Sequence, residues 1–170
     1  MMHNYFAIFA RYNQWANRRL YEAAAALDDA DYRADRGAFF RSMHGTLNHL
    51  LVTDRVWLQR ITGEGEAQDR LDAILFEDFA PLRAAREAED QRIIAVVDAL
   101  SDEALKGTIS YRRVSTPEPM VAGLIPTLAH WFNHQTHHRG QAHAILTGLG
   151  VKAPELDLLY HQRLAAAERA

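Results

Sequence analysis

Residues 124–149 read Leu124-Ile125-Pro126-Thr127-Leu128-Ala129-His130-Trp131-Phe132-Asn133-His134-Gln135-Thr136-His137-His138-Arg139-Gly140-Gln141-Ala142-His143-Ala144-Ile145-Leu146-Thr147-Gly148-Leu149. At about 100° per residue, Leu124, Leu128, Trp131, Ala142, Leu146 and Leu149 fall on one apolar stripe, which predicts a long helix with one buried side. Its start lies between Pro119 and Thr127, with Pro126 either in a first turn or kinking a longer helix. Gly148 and Gly150 supply the stop. His134 and His138 lie beside the stripe, one turn apart, where both imidazoles point inward. His130 and His137 lie further round the same side, towards its edge, and His143 is on the opposite face, in water. Two histidines at i and i+4 can share one metal ion, although such a pair taken alone is a weak signal.

Three further helices lie upstream. Tyr5, Ile8, Phe9, Tyr12, Trp15, Leu20, Ala23, Ala24 and Leu27 recur at three- and four-residue steps, predicting a helix over about 4–27 that Asp28-Asp29-Ala30-Asp31 breaks. Ser42 is the expected N-cap of a second helix, which runs through Met43, Leu47, Leu50, Leu51, Trp57 and Ile61 to the stop at Thr62-Gly63-Glu64-Gly65. A third begins between Asp78 and Pro81 and carries Leu82, Ala85, Ile93, Val96, Val97 and Leu100. Residues 107–118 read as non-helical, with a short extended excursion at Ile109-Ser110-Tyr111 and Val114. The tail, Glu155 to about Glu168, reads as a short final helix or an arm. Four long helices without a run of strands make an all-α four-helix bundle, and 170 residues fit one domain over 1–170.

Composition narrows the chemistry. Hydrophobic residues make up 48% and charged residues 24%, the balance of a folded globular chain. The formal charge of −3, without basic runs beyond pairs such as Arg18-Arg19, gives no footprint for nucleic acid. Met1-Met2-His3-Asn4-Tyr5 has no basic region leading into an apolar one, and every apolar run is interrupted by Arg, Asp or His before it reaches a membrane span. No membrane partner and a cytoplasmic location are the expectation. With no cysteine in the chain, any metal takes nitrogen and oxygen ligands. Nine histidines are present, five of them between His130 and His143. The third ligand must come from another helix, where His44 and His49 are the candidates. His44 lies nearer the main stripe and His49 sits with Val52 and Val56 on a second apolar strip, so the wheel leaves both open.

The residues assembled here resemble the DinB (damage-inducible) family of small metal-binding bundle proteins, unrelated to the DNA polymerase of the same name. The likeness runs through Tyr12-Asn13-Gln14-Trp15-Ala16-Asn17, then His44-Gly45-Thr46-Leu47-Asn48-His49-Leu50-Leu51 with Asp54 and Trp57. It continues in Phe132-Asn133-His134-Gln135-Thr136-His137-His138-Arg139-Gly140-Gln141 and ends in Asp157-Leu158-Leu159-Tyr160. The resemblance implies an up-down-down-up bundle, a homodimer, and a three-histidine metal site. By position its ligands fall on His49, the histidine eight residues before Trp57, and on His134 and His138.

Three neutral imidazoles suit zinc or nickel, and copper also, whereas calcium and magnesium want oxygen. Such an ion keeps open positions for a water, a substrate atom or an external thiol. The resemblance implies a metal-dependent enzyme, either a hydrolase or a thiol-dependent S-transferase acting on a small molecule with a low-molecular-weight thiol. The competing reading is a non-catalytic metal-binding stress-response protein. A di-iron carboxylate bundle would need Glu-x-x-His pairs, and no Glu lies three residues before any histidine. Among the remaining residues, His130 and His137 are candidate acid–base groups and Gln141 is placed to touch a ligand or an outer ring nitrogen. Asp54 orients a ligand or pairs with an arginine. Arg139 reads as an exposed salt-bridge partner or a contact for an anionic group, Gly140 as a point of close helix approach, and Tyr12, Trp15, Trp57 and Trp131 as core, with one or two of them open to walling the pocket.

Overall fold

The computed structural model describes residues 2–66, 68–116 and 118–167. Helix α1 spans Met2–Ala24 and buries Phe6, Ala10, Asn13, Asn17, Leu20, Tyr21 and Ala24 at helical spacing. The four residues read as a break after it begin a short helix instead. The Asp28 carboxylate accepts the Asp31 N–H at 2.7 Å and caps α2, Asp29–Arg33. Helix α3, Met43–Thr62, starts at the expected cap, where the Ser42 hydroxyl accepts the Gly45 N–H, and stops at Gly63 in the left-handed region (φ 76°). Helix α4 spans Phe79–Ala99. A 3-10 turn at Ala104–Lys106 follows.

The described residues of 107–118 are non-helical and extended at Ile109-Ser110-Tyr111 as expected, and a second strand, not foreseen, pairs with them. Thr108–Arg112 (β1) and Pro119–Gly123 (β2) pair as an antiparallel hairpin, with Thr108 opposite Gly123 and Tyr111 opposite Met120. Alternate residues of each strand are half-buried, which is what a short ribbon lying on a helical surface requires. Helix α5 then runs Leu124–Gly148, with Pro126 in its first turn. Helix α6, Leu158–Ala167, closes the described chain.

Cross-helix contacts establish the directions. Arg11 pairs with Asp98, Asn17 with Asp90, and Tyr21 stacks on Phe79, so α1 and α4 run antiparallel. Asp54 meets Arg86 and the Glu64 carbonyl meets Arg92, so α3 and α4 run parallel. His49 faces His138 while Trp57 faces His130, which makes α3 and α5 antiparallel. Phe9 stacks on Phe132 and Asn13 accepts from Arg139, so α1 and α5 run parallel. Around the bundle the order is α1, α4, α3, α5, the up-down-down-up arrangement.

Two apolar clusters fill this frame. One gathers Leu20, Tyr21, Met43, Leu47, Leu82 and Leu146, the other Phe6, Leu58, Ile93, Val97, Leu128 and Trp131. A layer of buried polar residues, Asn13, Asn17, Asp54, Arg86, Asp90, Gln135 and Arg139, lies between them. Among the described residues no helix is long and apolar enough to cross a membrane.

Candidate metal centre

Helix α3 is buried on nearly every side, from Met43 to Leu58, apart from Gly45 and Arg55. That is why a wheel could not choose between His44 and His49. Their partners separate them. The His44 ring packs on Tyr32 and its Nε2 lies 3.1 Å from the Phe76 carbonyl, facing the α3–α4 connection. His49 faces α5, its ring centroid 4.4 Å from that of His138 and 5.2 Å from that of His134. His49, His134 and His138 each offer one ring nitrogen, and these atoms lie within 4.8 Å of one another.

The surroundings prepare those nitrogens. His49 Nδ1 is 2.7 Å from the Leu71 carbonyl, which can only accept. The proton therefore sits on Nδ1 and the Nε2 lone pair is bare. Nε2 is buried and has no hydrogen-bond partner, and neither has the buried Nδ1 of His134. Two such groups together cost roughly 2–6 kcal/mol if nothing meets them, so the donor set fits a metal ion. His138 Nδ1 is held 2.9 Å from Gln141 Oε1, and the Gln141 amide also reaches His137 Nε2 at 3.3 Å. Phe40 stacks on the His49 ring with centroids 3.6 Å apart. Burial pushes the His49 imidazole down to about 4 and the His134 imidazole to about 3, with His138 adding to both, and it also lowers His138. All three are neutral at neutral pH, the form that binds metal.

The loop before α3 positions Phe40. Arg41 adopts φ 67°, a left-handed conformation rare for a residue with a side chain. A bridge between Ala38 and Arg41 closes the turn. The Phe40 carbonyl then lies where a Cβ on Gly45 would be, 2.2 Å from that position, so only glycine fits the first turn of α3.

Polar contacts across the bundle set the rotation of α5. The Gln135 amide donates to Asp54 Oδ1 (2.6 Å), the Leu50 carbonyl (3.2 Å) and Thr53 (3.0 Å). Trp131 Nε1 donates to the same Asp54 oxygen at 2.5 Å, and Arg86 to the other at 2.5 Å. Asp54 thus does pair with an arginine, and through Gln135 it locks the α5 face that carries His134 and His138. Burial pushes its carboxyl up to about 6, against the pull of Arg86 and Trp131, so it is ionised at neutral pH.

The other sequence-marked residues divide. His130 is exposed, with its ring 5.9 Å from His134 and 5.5 Å from Trp57, on a cavity of about 410 Å³ that also touches His134. His137 is exposed at the rim. Arg139 is not an exposed salt-bridge partner. It is buried, donating to Asn13, Asn17 and Thr136 with its guanidinium 5.3 Å from the Tyr12 ring. Gly140 permits no close approach, since nothing lies within 4 Å of where its Cβ would be. His143 is half-buried rather than free in water, with Nε2 3.1 Å from the Pro154 carbonyl. Tyr12, Trp57 and Trp131 are buried, Trp15 only partly.

Phe40, Leu71 and Gln135 escaped the sequence reading. Gln135 carried a signal: it stands seven residues from both Leu128 and Ala142, a polar residue on the apolar stripe. Phe40 and Leu71 act from loops, which have no periodicity to read.

Bundle direction and histidine cluster define a class, a four-helix bundle with three convergent imidazoles between two antiparallel helices. The chain belongs to the DinB family, which it matches over residues 1–170. It is 24% identical over 168 residues to the protein DinB of Bacillus subtilis (strain 168), an alignment covering 94% of each chain. Its fold is similar to that of YfiT from Bacillus subtilis, described as a probable metal-dependent hydrolase with an unusual four-helix bundle topology. The TM-score is 0.62 at 15% identity, over 85% of this chain and 87% of that one.

Proposed function

We propose that the protein is a metal-dependent enzyme whose divalent ion, zinc or nickel, is held by His49, His134 and His138. It activates a small nucleophile, either water for hydrolysis or a low-molecular-weight thiol for transfer to a small-molecule substrate. The observation that carries this reading is the convergence of His49, His134 and His138, one ring nitrogen of each within 4.8 Å of the others, in a place where His49 and His134 also carry buried, unpartnered nitrogens. An ion held by these three histidines would supply a Lewis acid.

The chain's own residues do the rest. Leu71 holds the His49 tautomer and Gln141 orients His138, the usual way of aiming imidazoles at a metal. Phe40 shields the His49 ring from water. His130, on the cavity wall beside His134, is the group placed to accept a proton from the nucleophile and pass it to a leaving group. His137, exposed beyond Gln141, is the weaker candidate for that role.

Elemental analysis of untagged protein, purified without chelator, tests the centre. About one zinc or nickel per chain is expected, falling at least tenfold in His49→Ala, His134→Ala and His138→Ala while far-UV circular dichroism is retained. A wild type that neither carries metal nor takes it up from added zinc or nickel overturns the reading. For the reaction, His130→Gln should keep the metal and lose turnover by about a hundredfold.

A further inference from the structure

The cavity beside His134 is walled by Trp57, Arg60, Tyr111, Arg113, His130 and His134, together with smaller apolar and hydroxyl side chains. Among the described residues that line it there is no carboxylate. Arg60 is set apart from most arginines of the fold. Arg11, Arg33, Arg55, Arg83, Arg86 and Arg92 each pair with an acidic side chain. Arg60 has no such partner among the described residues. Its guanidinium lies 4.6 Å from the Trp57 ring and 4.3 Å from the Tyr111 ring, with one nitrogen donating to the Arg112 carbonyl at 3.0 Å. The two rings meet edge to face, their centroids 5.6 Å apart, and hold the guanidinium beside them with donors left unused. Half-buried Arg60 is a desolvated cation, and burial lowers its pKa accordingly. Arg113, exposed on the hairpin, lines the same cavity and has no acidic partner among the described residues.

Size and spacing define what fits. About 410 Å³ is room for a small organic molecule. Thr53 and Arg60 both line it, seven residues apart on α3 and so about 10 Å apart along its axis. His134 is at one end of that span, one turn of α5 before His138, and the arginines are at the other. An aromatic and apolar stretch of wall, including Trp57, lies between.

We infer that this cavity binds an elongated organic carboxylate, its anionic end held by Arg60 and Arg113 and its other end reaching the histidine cluster. The guanidinium fork matches a carboxylate in plane and in donor spacing. Only the statement that the far end is where chemistry occurs rests on the metal-enzyme reading; the binding of the anion does not.

Calorimetric titration of metal-free protein with phenylhexanoate and with its neutral amide separates the two. The carboxylate should bind about tenfold or more tightly than the amide, and the preference should shrink with added salt. Arg60→Gln should abolish the preference and Arg60→Lys restore part of it. Arg113→Gln, at an exposed position that does not endanger the hairpin, should reduce it. His134→Ala should keep it even with the metal centre destroyed. Equal binding of acid and amide overturns the inference. So does a preference that arises only on metal loading and survives Arg60→Gln, a result that would leave the metal reading intact.

Discussion

His49 joins three elements through one ring: Leu71 on its Nδ1, Phe40 on its face, His134 and His138 towards Nε2. The same burial that frees its lone pair has a thermodynamic consequence. In the metal-free protein His49 titrates at about 4 and His134 at about 3, against about 6.5 in the unfolded chain. Between those values the unfolded chain binds more protons than the native one, so stability rises with pH and is lost as pH falls from about 6.5 to about 3. Thermal melts of metal-free protein across that window should show a steadily falling Tm, with a shallower fall in His134→Ala. Asp54, pushed up to about 6, acts in the opposite direction below that pH, which is why the variant comparison isolates the histidine. An unchanged slope in the variant would contradict the buried neutral state. At this scale the inward pair His134 and His138 was legible from the wheel, because α5 has one apolar side. The third residue was not, because α3 is enclosed by its neighbours and its polar residues do not mark a face.

Element boundaries were legible where side-chain chemistry marks them. Ser42 caps α3 and Gly63 ends it as expected, whereas the hairpin was only half visible. Ile109 to Tyr111 showed as extended, but Met120-Val121-Ala122-Gly123 could equally open the following helix, and strand pairing depends on a partner that local pattern does not contain. Two glycines show the difference between inference from pattern and from packing. At Gly45 a Cβ would lie 2.2 Å from the Phe40 carbonyl. Gly45→Ala should therefore destabilise the protein by about 1–3 kcal/mol, and weaken metal retention by moving Phe40 off His49. At Gly140 a Cβ meets nothing within 4 Å, so Gly140→Ala should stabilise by up to about 1 kcal/mol through helix propensity alone. Chemical denaturation of the two variants measures both, and a stability loss in Gly140→Ala would restore the close-approach reading.

At the scale of the whole molecule, one polar layer draws on all four long helices. Asp54 on α3 meets Arg86 on α4 at 2.5 Å, Arg86 meets Asp90 at 3.0 Å, and Asp90 accepts from Asn17 on α1 at 2.9 Å. Asn13 and Asn17 in turn accept from Arg139 on α5. Burial raises the Asp90 carboxyl while Arg86 opposes that shift. Removing one member leaves a buried charge unpaired, so Arg86→Leu should cost about 3–5 kcal/mol. The double variant Asp54→Leu with Arg86→Leu should recover part of that loss in urea denaturation. A cost below about 1 kcal/mol for the single change would mean that water reaches the layer. The bundle itself was legible from four amphipathic segments. The direction of each helix came only with the family resemblance, because direction depends on pairings such as Asn17 with Asp90 that no single helix records.

The up-down-down-up order also decides where novelty can enter. Among the described long helices only α3 and α4 are both consecutive and adjacent in the ring, and they run parallel, so no short hairpin loop joins any two in succession. The chain must travel through 25–42, 63–78 and 100–123 instead. Each journey leaves something at the site: Phe40 from the first, the Leu71 carbonyl from the second, Tyr111 from the third. The helices hold the imidazoles while the crossings furnish the walls. A lineage can therefore refashion its loops, and with them the surroundings of the cluster, without disturbing the three histidines.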